Sequence, residues 1–264
     1  MAYQKTVLIT GASSGIGFEL ARVFAKNGFR LILVSKNKDR LQNAAKKLKS
    51  EFKSTPIIAI PKDLSKPNSP KELFFECRKR KIHVDVLVND AGYGLLGKFH
   101  ELPLKDQLEM VQVNIASLTS LTYLFLPEMI RKKDGKILNL ASTASFQPGP
   151  LMAVYYASKA YVLSFSQAIA NELEGSGVSV TALCPGPTKT NFQKRAGASH
   201  AKVFSGLLSS PEIVAQRGFD GLIAKEPVVF VDSRSAILAK LAVIMPRKTV
   251  VKYVRGIQEK RRKA

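Results

Sequence analysis

The chain contains a series of short, continuously apolar segments that alternate with amphipathic ones. A strand covered on both faces needs continuous hydrophobicity, so these segments, rich in β-branched residues, are typical of parallel strands. The predicted strands cover 6–10, 30–35, 56–60, 84–89, 135–141 and 178–184. Between them, apolar residues three and four positions apart predict helices that begin near Gly15, Asp39, Pro70, Lys105 and Ala153. The alternation predicts a single doubly wound α/β sheet of the Rossmann type.

The pattern changes beyond the sixth predicted strand. The segment 188–210 is rich in Gly, Ser, Thr and Pro, and we expect it to form a short lid over a functional site. A further helix is expected near Pro211 and a last strand at 227–231. We therefore divide the chain into a main domain, 1–235, and a basic amphipathic extension, 236–264.

The predicted lid carries apolar side chains that either cover a hydrophobic substrate or pack against the core. They are Phe192, Val203, Phe204, Leu207 and Leu208. The first alternative would suit an apolar carbonyl compound.

The chain is strongly basic, with 41 Lys and Arg against 20 Asp and Glu, a formal charge of +21. Such a charge suits nucleic acid, an anionic membrane, an anionic cofactor or a solvated surface, and cannot by itself choose among them. Nucleic acid is not expected, because no RNA-binding motif with interleaved aromatic residues is present. Two cysteines and three scattered histidines predict neither a disulfide framework nor a metal site.

The N-terminal residues lead almost directly into the first predicted strand without a signal-like segment. No run approaches the roughly 20 apolar residues of a membrane span. We therefore expect a cytoplasmic protein.

The segment TGASSGIG places Gly11, Gly15 and Gly17 between the first strand and the first helix. Glycines there permit a tight turn and let an anion approach the helix N-terminus, where unpaired N–H groups and the helix dipole favour negative charge. The motif predicts a phosphate-binding loop, and a simple turn is the alternative.

Four motifs together resemble the short-chain dehydrogenase/reductase family. They are TGASSGIG, NDAG at 89–92, YYASK at 155–159 and PGPTKT at 185–190, and they occur in the family's order from residue 6 to about 230. The resemblance implies hydride transfer between a nicotinamide cofactor and a carbonyl or alcohol substrate. The cofactor-binding residues that it implies are Gly11, Ser13, Ser14, Gly15, Ile16, Gly17, Lys36, Asp63, Asn89, Ala91, Gly92, Tyr155, Lys159, Pro185, Gly186, Thr188 and Thr190.

The segment YYASK contains a candidate proton donor. A tyrosine has an ordinary pKa of about 10, so it needs a nearby cation to exchange protons at neutral pH. Lys159 lies four positions after Tyr155 and three after Tyr156, so helical geometry alone allows either tyrosine. The family's YxxxK pattern selects Tyr155 and leaves Tyr156 as a packing or pocket residue.

Two further catalytic residues follow from the resemblance. Ser142, thirteen residues before Tyr155, matches the family's serine that donates a hydrogen bond to the substrate oxygen, and Ser145 is the competing candidate. Asn114 matches a helical asparagine that holds water in a proton relay leading to Lys159.

The end of the second strand indicates which nicotinamide cofactor is bound. An acidic residue there would bind the ribose 2′-OH of NAD, whereas a cation would accommodate the 2′-phosphate of NADP. Ser35 stands where NAD-using members carry Asp, and Lys36 follows where NADP-using members have Arg, so we predict NADP(H). Asp63 matches the acidic residue near the adenine. Asp90 departs from the family's second asparagine before Ala-Gly and could weaken cofactor affinity.

The basic C-terminus predicts an amphipathic helix after Pro246, with Val250, Tyr253 or Val254, and Ile257 on its apolar face. Such a helix either contacts an anionic membrane or packs against its own domain or a partner subunit. The resemblance also implies a homodimer or homotetramer. A different class of function, a non-catalytic dinucleotide-fold protein that binds membrane or RNA through its basic surface, is the alternative.

Overall fold

The computed structural model describes residues 4–192, 196–197 and 208–263, without the side chains of 260–263. Its strands form one parallel sheet in the order β3-β2-β1-β4-β5-β6-β7. They are β1 Thr6–Thr10, β2 Arg30–Ser35, β3 Ile57–Pro61, β4 Val86–Asn89, β5 Gly135–Leu140, β6 Val178–Cys184 and β7 Val228–Phe230. All seven strands lie where the apolar segments predict them, and the doubly wound α/β fold is confirmed.

Helices cover both faces of this sheet. They are α1 Gly15–Lys26, α2 Lys38–Glu51, α3 Ser69–Lys79, α4 Leu104–Val111, α5 Leu118–Lys132, α6 Ala153–Glu172, α7 Pro211–Ile223, α8 Ser233–Ile244 and α9 Arg247–Lys263. A π-helical turn, Gln112–Ser117, joins α4 to α5, and a short 3-10 helix, Thr143–Phe146, follows β5. The predicted starts of α1, α2, α3, α4, α6 and α7 agree with the observed ones to within one residue, whereas α5 and α8 are not anticipated as separate helices.

The continuous hydrophobicity of the strands has a simple cause in the sheet. Val7 and Ile9 of β1 enter the core on one face, and Leu8 between them enters the core on the other. In β2, Leu33 likewise enters the core on the first face and Ile32 enters the core on the second. Because successive side chains point to opposite faces, a strand buried on both sides needs an apolar residue at each position.

The joined helical run Leu104–Lys132 is long and apolar enough to cross a membrane by length and composition. This finding differs from the expectation that no such run exists. Within the fold, however, its residues Leu121, Phe125 and Met129 are buried in the core beneath the sheet. The apolar character of this run is therefore that of a helix that covers the sheet.

The C-terminal residues form a helix pair. Helix α8 begins at Ser233, just before the predicted domain boundary at 235/236. Val250 and Val254 of α9 are buried with Tyr156 and Met152, whereas Tyr253 is exposed. Of the alternatives for the apolar face of α9, packing against its own domain is the one observed.

Candidate active site

The predicted site residues gather at the carboxyl ends of the strands. The loops after β1, β4, β5 and β6 meet there, next to the first turns of α6. In open parallel sheets this edge, beside the point where the strand order reverses, is where ligands bind. The order β3-β2-β1-β4 places that reversal between β1 and β4.

Lys159 lies at the centre of this cluster and is buried. Its Nζ donates a hydrogen bond of 2.6 Å to the carbonyl oxygen of Leu140 at the end of β5. Burial lowers the pKa of Lys159 to about 8, although the negative charge of Asp90 opposes this shift. Nζ lies 6.0 Å from the centroid of the Tyr155 ring. The lysine is thus fixed beside Tyr155 with a pKa close to neutral pH.

The two tyrosines of the YYASK segment have different surroundings. Tyr155 is partly exposed, and its ring lies 5.2 Å from that of Phe192 in the predicted lid. Tyr156 is buried, and its hydroxyl accepts a hydrogen bond of 2.8 Å from Gln258 of α9. Tyr156 is therefore a packing residue, as predicted, and the geometry favours Tyr155 for chemistry.

The two candidate serines also differ. Ser145 is buried, and its hydroxyl donates to the carbonyl oxygen of Lys159 at 2.8 Å. Ser142 is partly exposed and forms the N-cap of the 3-10 helix, accepting from the N–H of Ala144 at 3.1 Å. It donates a long hydrogen bond of 3.4 Å to the carbonyl oxygen of Pro185. Ser142 can release that weak bond to meet a ligand, whereas Ser145 supports α6.

Asn114 lies in the π-helical turn, an irregularity that is frequent at functional sites. Its amide donates to the Tyr93 carbonyl and to Ser158 Oγ, both at 3.0 Å, and accepts from the Tyr93 N–H at 3.2 Å. A Cβ added to Gly92 would lie 3.1 Å from Asn114 Oδ1 and 3.7 Å from Lys159 Nζ, so the two residues approach each other across this glycine. Asn114 fixes the loop after β4; the predicted role in holding water stays a prediction.

The glycine-rich loop fits a pyrophosphate. Gly11 and Gly15 have φ of +73° and +61°, values that favour glycine. A Cβ on Gly11 or Gly17 would lie 2.6 or 2.5 Å from Asp90 Oδ2, so these positions have no room for a side chain. Ser14, the N-cap of α1, makes no capping bond with its side chain, which leaves the first N–H groups of the helix available to an anion. Ser13 and Ile16 lie in the same loop and first turn.

Thr10, which no motif in the sequence singles out, organises this loop. Its buried hydroxyl accepts from the N–H groups of Asp90 and Ala91 at 3.1 and 3.0 Å and donates to the Val88 carbonyl. Thr10 thereby ties the loop after β1 to the NDAG loop. A hydroxyl residue directly before the first glycine is the only signal for this role in the sequence.

The side chain of Asn89 points away from the cleft. Its amide donates to Asn139 Oδ1 at 2.9 Å and to Thr122 Oγ1 at 3.3 Å in the interior. Asn139 in turn donates to Ser166 of α6 at 2.9 Å. This buried polar chain links β4 to β5 and α6, so a contact between Asn89 and a cofactor would come from its main chain.

The residues predicted to recognise the adenosine end lie after β2 and β3. Ser13 Oγ and Ser35 Oγ are 2.9 Å apart, and Lys36 Nζ lies 2.9 Å from Asp63 Oδ2. Burial alone would raise the pKa of Asp63, but hydrogen bonds from Lys36 and Ser65 outweigh it and lower that pKa. Lys36 is well exposed and so is available to a ligand.

The segment after β6 folds over the phosphate loop. The Thr190 methyl group lies 3.3 Å from the position of a Cβ added to Gly15. Thr188 Oγ1 donates to the Gly186 carbonyl at 3.0 Å, and Thr190 Oγ1 accepts from the N–H of Phe192. Phe192 and Leu208 of the predicted lid are described, whereas Val203, Phe204 and Leu207 lie outside the described residues.

Among the residues that the structure describes, no three His, Cys, Asp or Glu side chains form a set that could hold a metal ion. Both cysteines are buried, and burial raises the pKa of the Cys184 thiol to about 12.

Comparison with known proteins agrees with this architecture. The family model for short chain dehydrogenases matches residues 5–201. The ketoacyl reductase HetN of a Nostoc species is 32% identical over 207 residues, covering 75% of this chain and 71% of that protein. The chain belongs to the short-chain dehydrogenase/reductase family and is an oxidoreductase by that membership.

Solved structures share the fold over most of both chains. A short-chain dehydrogenase from Sphingobium yanoikuyae in complex with NADPH is 31% identical, with a TM-score of 0.81 over 90% of this chain and 91% of that chain. A bulky-bulky ketone specific alcohol dehydrogenase from Comamonas testosteroni is 28% identical, with a TM-score of 0.77 over the same shares. A family member from Burkholderia phymatum in complex with NAD, 23% identical with a TM-score of 0.81 over 90% of this chain and 92% of that chain, shares the fold.

Proposed function

We propose that this protein is an NADP(H)-dependent carbonyl reductase or alcohol dehydrogenase that acts on an apolar ketone or the corresponding alcohol. The observation that carries the proposal is the position of Lys159, buried beside Tyr155 and bonded to the end of β5, next to the loop that holds Ser142. A buried amine is costly to retain, and such groups concentrate at functional sites.

The residues of the site have separate tasks in this proposal. The bound nicotinamide would supply or accept the hydride. Tyr155 gives a proton to the substrate oxygen or takes one from it, and the positive charge of Lys159 favours the phenolate that forms. Ser142 donates a hydrogen bond to the same oxygen as its charge develops. Asn114 holds the loop after β4 beside Lys159 and is the proposed anchor for a relay water.

Support for an apolar substrate comes from the wall around Tyr155. A Cβ added to Gly94 would lie 2.8 Å from Met152 Cε, 2.9 Å from Phe192 Cζ and 3.2 Å from Tyr155 Cδ2. Three apolar or aromatic groups thus converge on a bare backbone position next to the phenol. Tyr155 and Phe192 remain partly exposed, so their rings would offer complementary surface to a hydrophobic ketone.

Support for NADP(H) over NAD(H) comes from the end of β2. Ser35 leaves the position without the carboxylate that would bind a ribose 2′-OH and repel a 2′-phosphate, and Lys36 is exposed beside it. Lys38 and Arg40 are exposed close by in the chain and add positive charge. The Lys36 ammonium can be shared between Asp63 and a phosphate.

The reaction is tested with a matched pair of tyrosine variants. Ketones of increasing bulk are reduced with NADPH, and Tyr155→Phe is compared with Tyr156→Phe. Loss of general acid catalysis predicts a fall in kcat of about a thousandfold for Tyr155→Phe, against activity near that of the wild type for Tyr156→Phe. Equal activity of the wild type and Tyr155→Phe would instead favour a non-catalytic binding protein.

The cofactor preference is tested by titration of purified protein with NADPH and with NADH, followed by cofactor fluorescence. We expect tighter binding of NADPH, and a selective loss of that preference in Lys36→Gln. Lys26→Gln, in the last turn of α1, controls for the loss of one surface charge. Tighter binding of NADH by the wild type would contradict the preference.

Oligomeric state and location are further proposals. A homodimer or homotetramer through α4, α5 and α6 is supported by exposed Tyr123, Ile130 and Tyr161, with Tyr161 stacked on Phe165 at 5.7 Å. A location in the cytoplasm, with peripheral membrane contact through the basic C-terminal region, is proposed on the strength of its charge.

A further inference from the structure

Helix α8 presents an apolar face to solvent. Its outward residues are between 43% and 81% exposed. They are Ile237, Leu238, Leu241 and Ile244, together with Met245, which follows the helix. They recur at intervals of three and four, so they form one continuous stripe. The buried residues of the helix are small, Ala239 and Ala242, and Val243 beside them is half exposed. The side chains with the greatest apolar area on α8 thus point away from the domain.

The surroundings of this stripe are basic. Lys240 lies on α8 itself, and Arg247, Lys248 and Lys252 follow in the first turns of α9, all exposed. The exposed cations in the pair also include Arg234 and Arg255. Two acidic side chains accompany them in the described part of this region. Asp232 caps α8 by bonding Ser235, and Glu259 is paired with Arg255. The apolar stripe is therefore framed by positive charge with little compensation.

The apolar face of α9 is already used inside the protein. Val250 and Val254 are buried against α6, and Gln258 bonds Tyr156 beneath them. The packing of α9 fixes the position of the basic residues on its outer side. It also means that α8, and not α9, supplies the free apolar surface in this helix pair.

The charge around the stripe selects its occupant. A symmetric contact between two copies would bring two like-charged clusters together, which is unfavourable at an interface. A bilayer that contains anionic lipids offers negative head groups around an apolar interior, and amphipathic helices rich in Lys and Arg bind such a surface in its plane. We propose that α8 docks this protein on an anionic membrane, with its apolar stripe in the interface and the basic residues of α8 and α9 on the lipid head groups.

Docking through α8 would hold the end of the active-site cleft near the bilayer. The α8 residue Ser235 approaches the segment after β6, because its Oγ lies 3.2 Å from the position of a Cβ added to Gly186. Membrane docking stands on the surface of α8 and does not depend on the proposed reaction.

The test uses the full chain with vesicles of phosphatidylcholine alone and of an equimolar mixture with phosphatidylglycerol. The bound fraction is measured by flotation. We expect binding to the anionic vesicles and little to the neutral ones. The double variant Ile237→Asp and Leu241→Asp places two charges in the apolar stripe and should weaken binding by at least about tenfold. Lys240→Gln and Lys248→Gln should each weaken it by about fivefold.

Ile213→Asp is the matched control, since Ile213 on α7 is 58% exposed and Ile237 is 57% exposed. It should bind anionic vesicles as the wild type does. Absence of wild-type binding, or unchanged binding after loss of the stripe, would overturn the proposal. A molar mass of the stripe variant below that of the wild type in light scattering would also overturn it, because α8 would then form a contact between copies. Binding of single-stranded RNA that needs the lysines but not the stripe, without vesicle binding, would likewise overturn it.

Discussion

The active-site cleft and the C-terminal helix pair meet at α6, yet they are held in opposite ways. In the cleft, polar side chains such as Thr10, Asn114 and Lys159 each bond to specific main-chain atoms. In the helix pair, α9 is attached chiefly by the buried Val250 and Val254, while α8 keeps its larger apolar side chains exposed. The first region is specified by hydrogen bonds and the second by apolar contact.

The border between the two regions runs through a dipeptide. Tyr155 faces the cleft and Tyr156 bonds to α9, because successive residues of a helix lie on different sides of it. Two adjacent tyrosines thus have different surroundings, and in the proposed function only Tyr155 takes part in the reaction. We therefore expect changes in the cleft to alter activity more than stability, and changes under α9 to do the reverse.

The largest expected effect comes from Lys159→Met. Loss of the cation beside Tyr155 should lower kcat by about a thousandfold. Because burial of the ammonium is unfavourable, the free energy of unfolding should stay the same or rise by roughly 1 kcal/mol. Enzyme assays and urea denaturation measure the two effects. A strong loss of stability would contradict the comparison.

The stability gain of Lys159→Met should also depend on pH. The folded protein releases the proton of Lys159 at a pKa of about 8, whereas the ordinary pKa of a lysine is 10.5. Below pH 8 the wild type buries a charge in the folded state, so the advantage of the variant is greatest there. As the pH rises from about 8 to 10.5, the unfolded chain binds more protons than the folded one and the wild type gains relative stability. The advantage should therefore shrink over that range.

Val254→Ala should affect the other region in the opposite sense. Removal of two buried methyl groups creates a cavity beneath α9 and should lower the free energy of unfolding by about 2 kcal/mol. Turnover at a temperature where the variant is folded should stay close to that of the wild type. Tyr253→Ala, at an exposed position on the same helix, is the control and should leave stability nearly unchanged.

Tyr156→Phe should have a smaller effect on stability. It leaves the buried amide of Gln258 without the phenol oxygen that accepts its hydrogen bond, which should cost about 1 to 2 kcal/mol. The double variant with Gln258→Leu should recover part of this loss, because both polar groups are then removed. A fall in kcat that matches Tyr155→Phe would show that the two tyrosines do not divide their roles as proposed.

Asp90→Asn should give the smallest effect, a shift in the pH profile. The negative charge of Asp90 raises the pKa of Lys159, so its removal should lower that pKa further. Activity that depends on the Lys159 cation would then decline at a lower pH on the alkaline side, by up to about one pH unit. The matched size of asparagine keeps the close approach to Gly11 and Gly17. An unchanged alkaline limb would show that Asp90 does not act on Lys159.

Much of this molecule could be predicted from short stretches of sequence. The strands were found because each is buried on both faces and is therefore apolar throughout. The glycine loop was found because positive φ and close packing leave glycine as the suitable residue. Thr10 was missed because its role depends on the NDAG loop, about eighty positions later in the chain. The inward direction of Asn89 was missed for the same reason, since its partners lie on β5 and α5.

The sequence alone therefore determined the order of strands and helices along the chain, the glycine-rich loop and the proximity of Tyr155 to Lys159, since each depends on local periodicity or on residues a few positions apart. Helical geometry alone left open whether Tyr155 or Tyr156 faces the cleft, Ser145 remained a competitor of Ser142, and the partner of the apolar face of the C-terminal helix was undecided. Tertiary structure separated these alternatives by bringing Gln258 to Tyr156, Ser145 to the main chain of Lys159, and Val254 to α6. Contacts between residues far apart in the chain carry no local pattern, so the fold alone could bring them together.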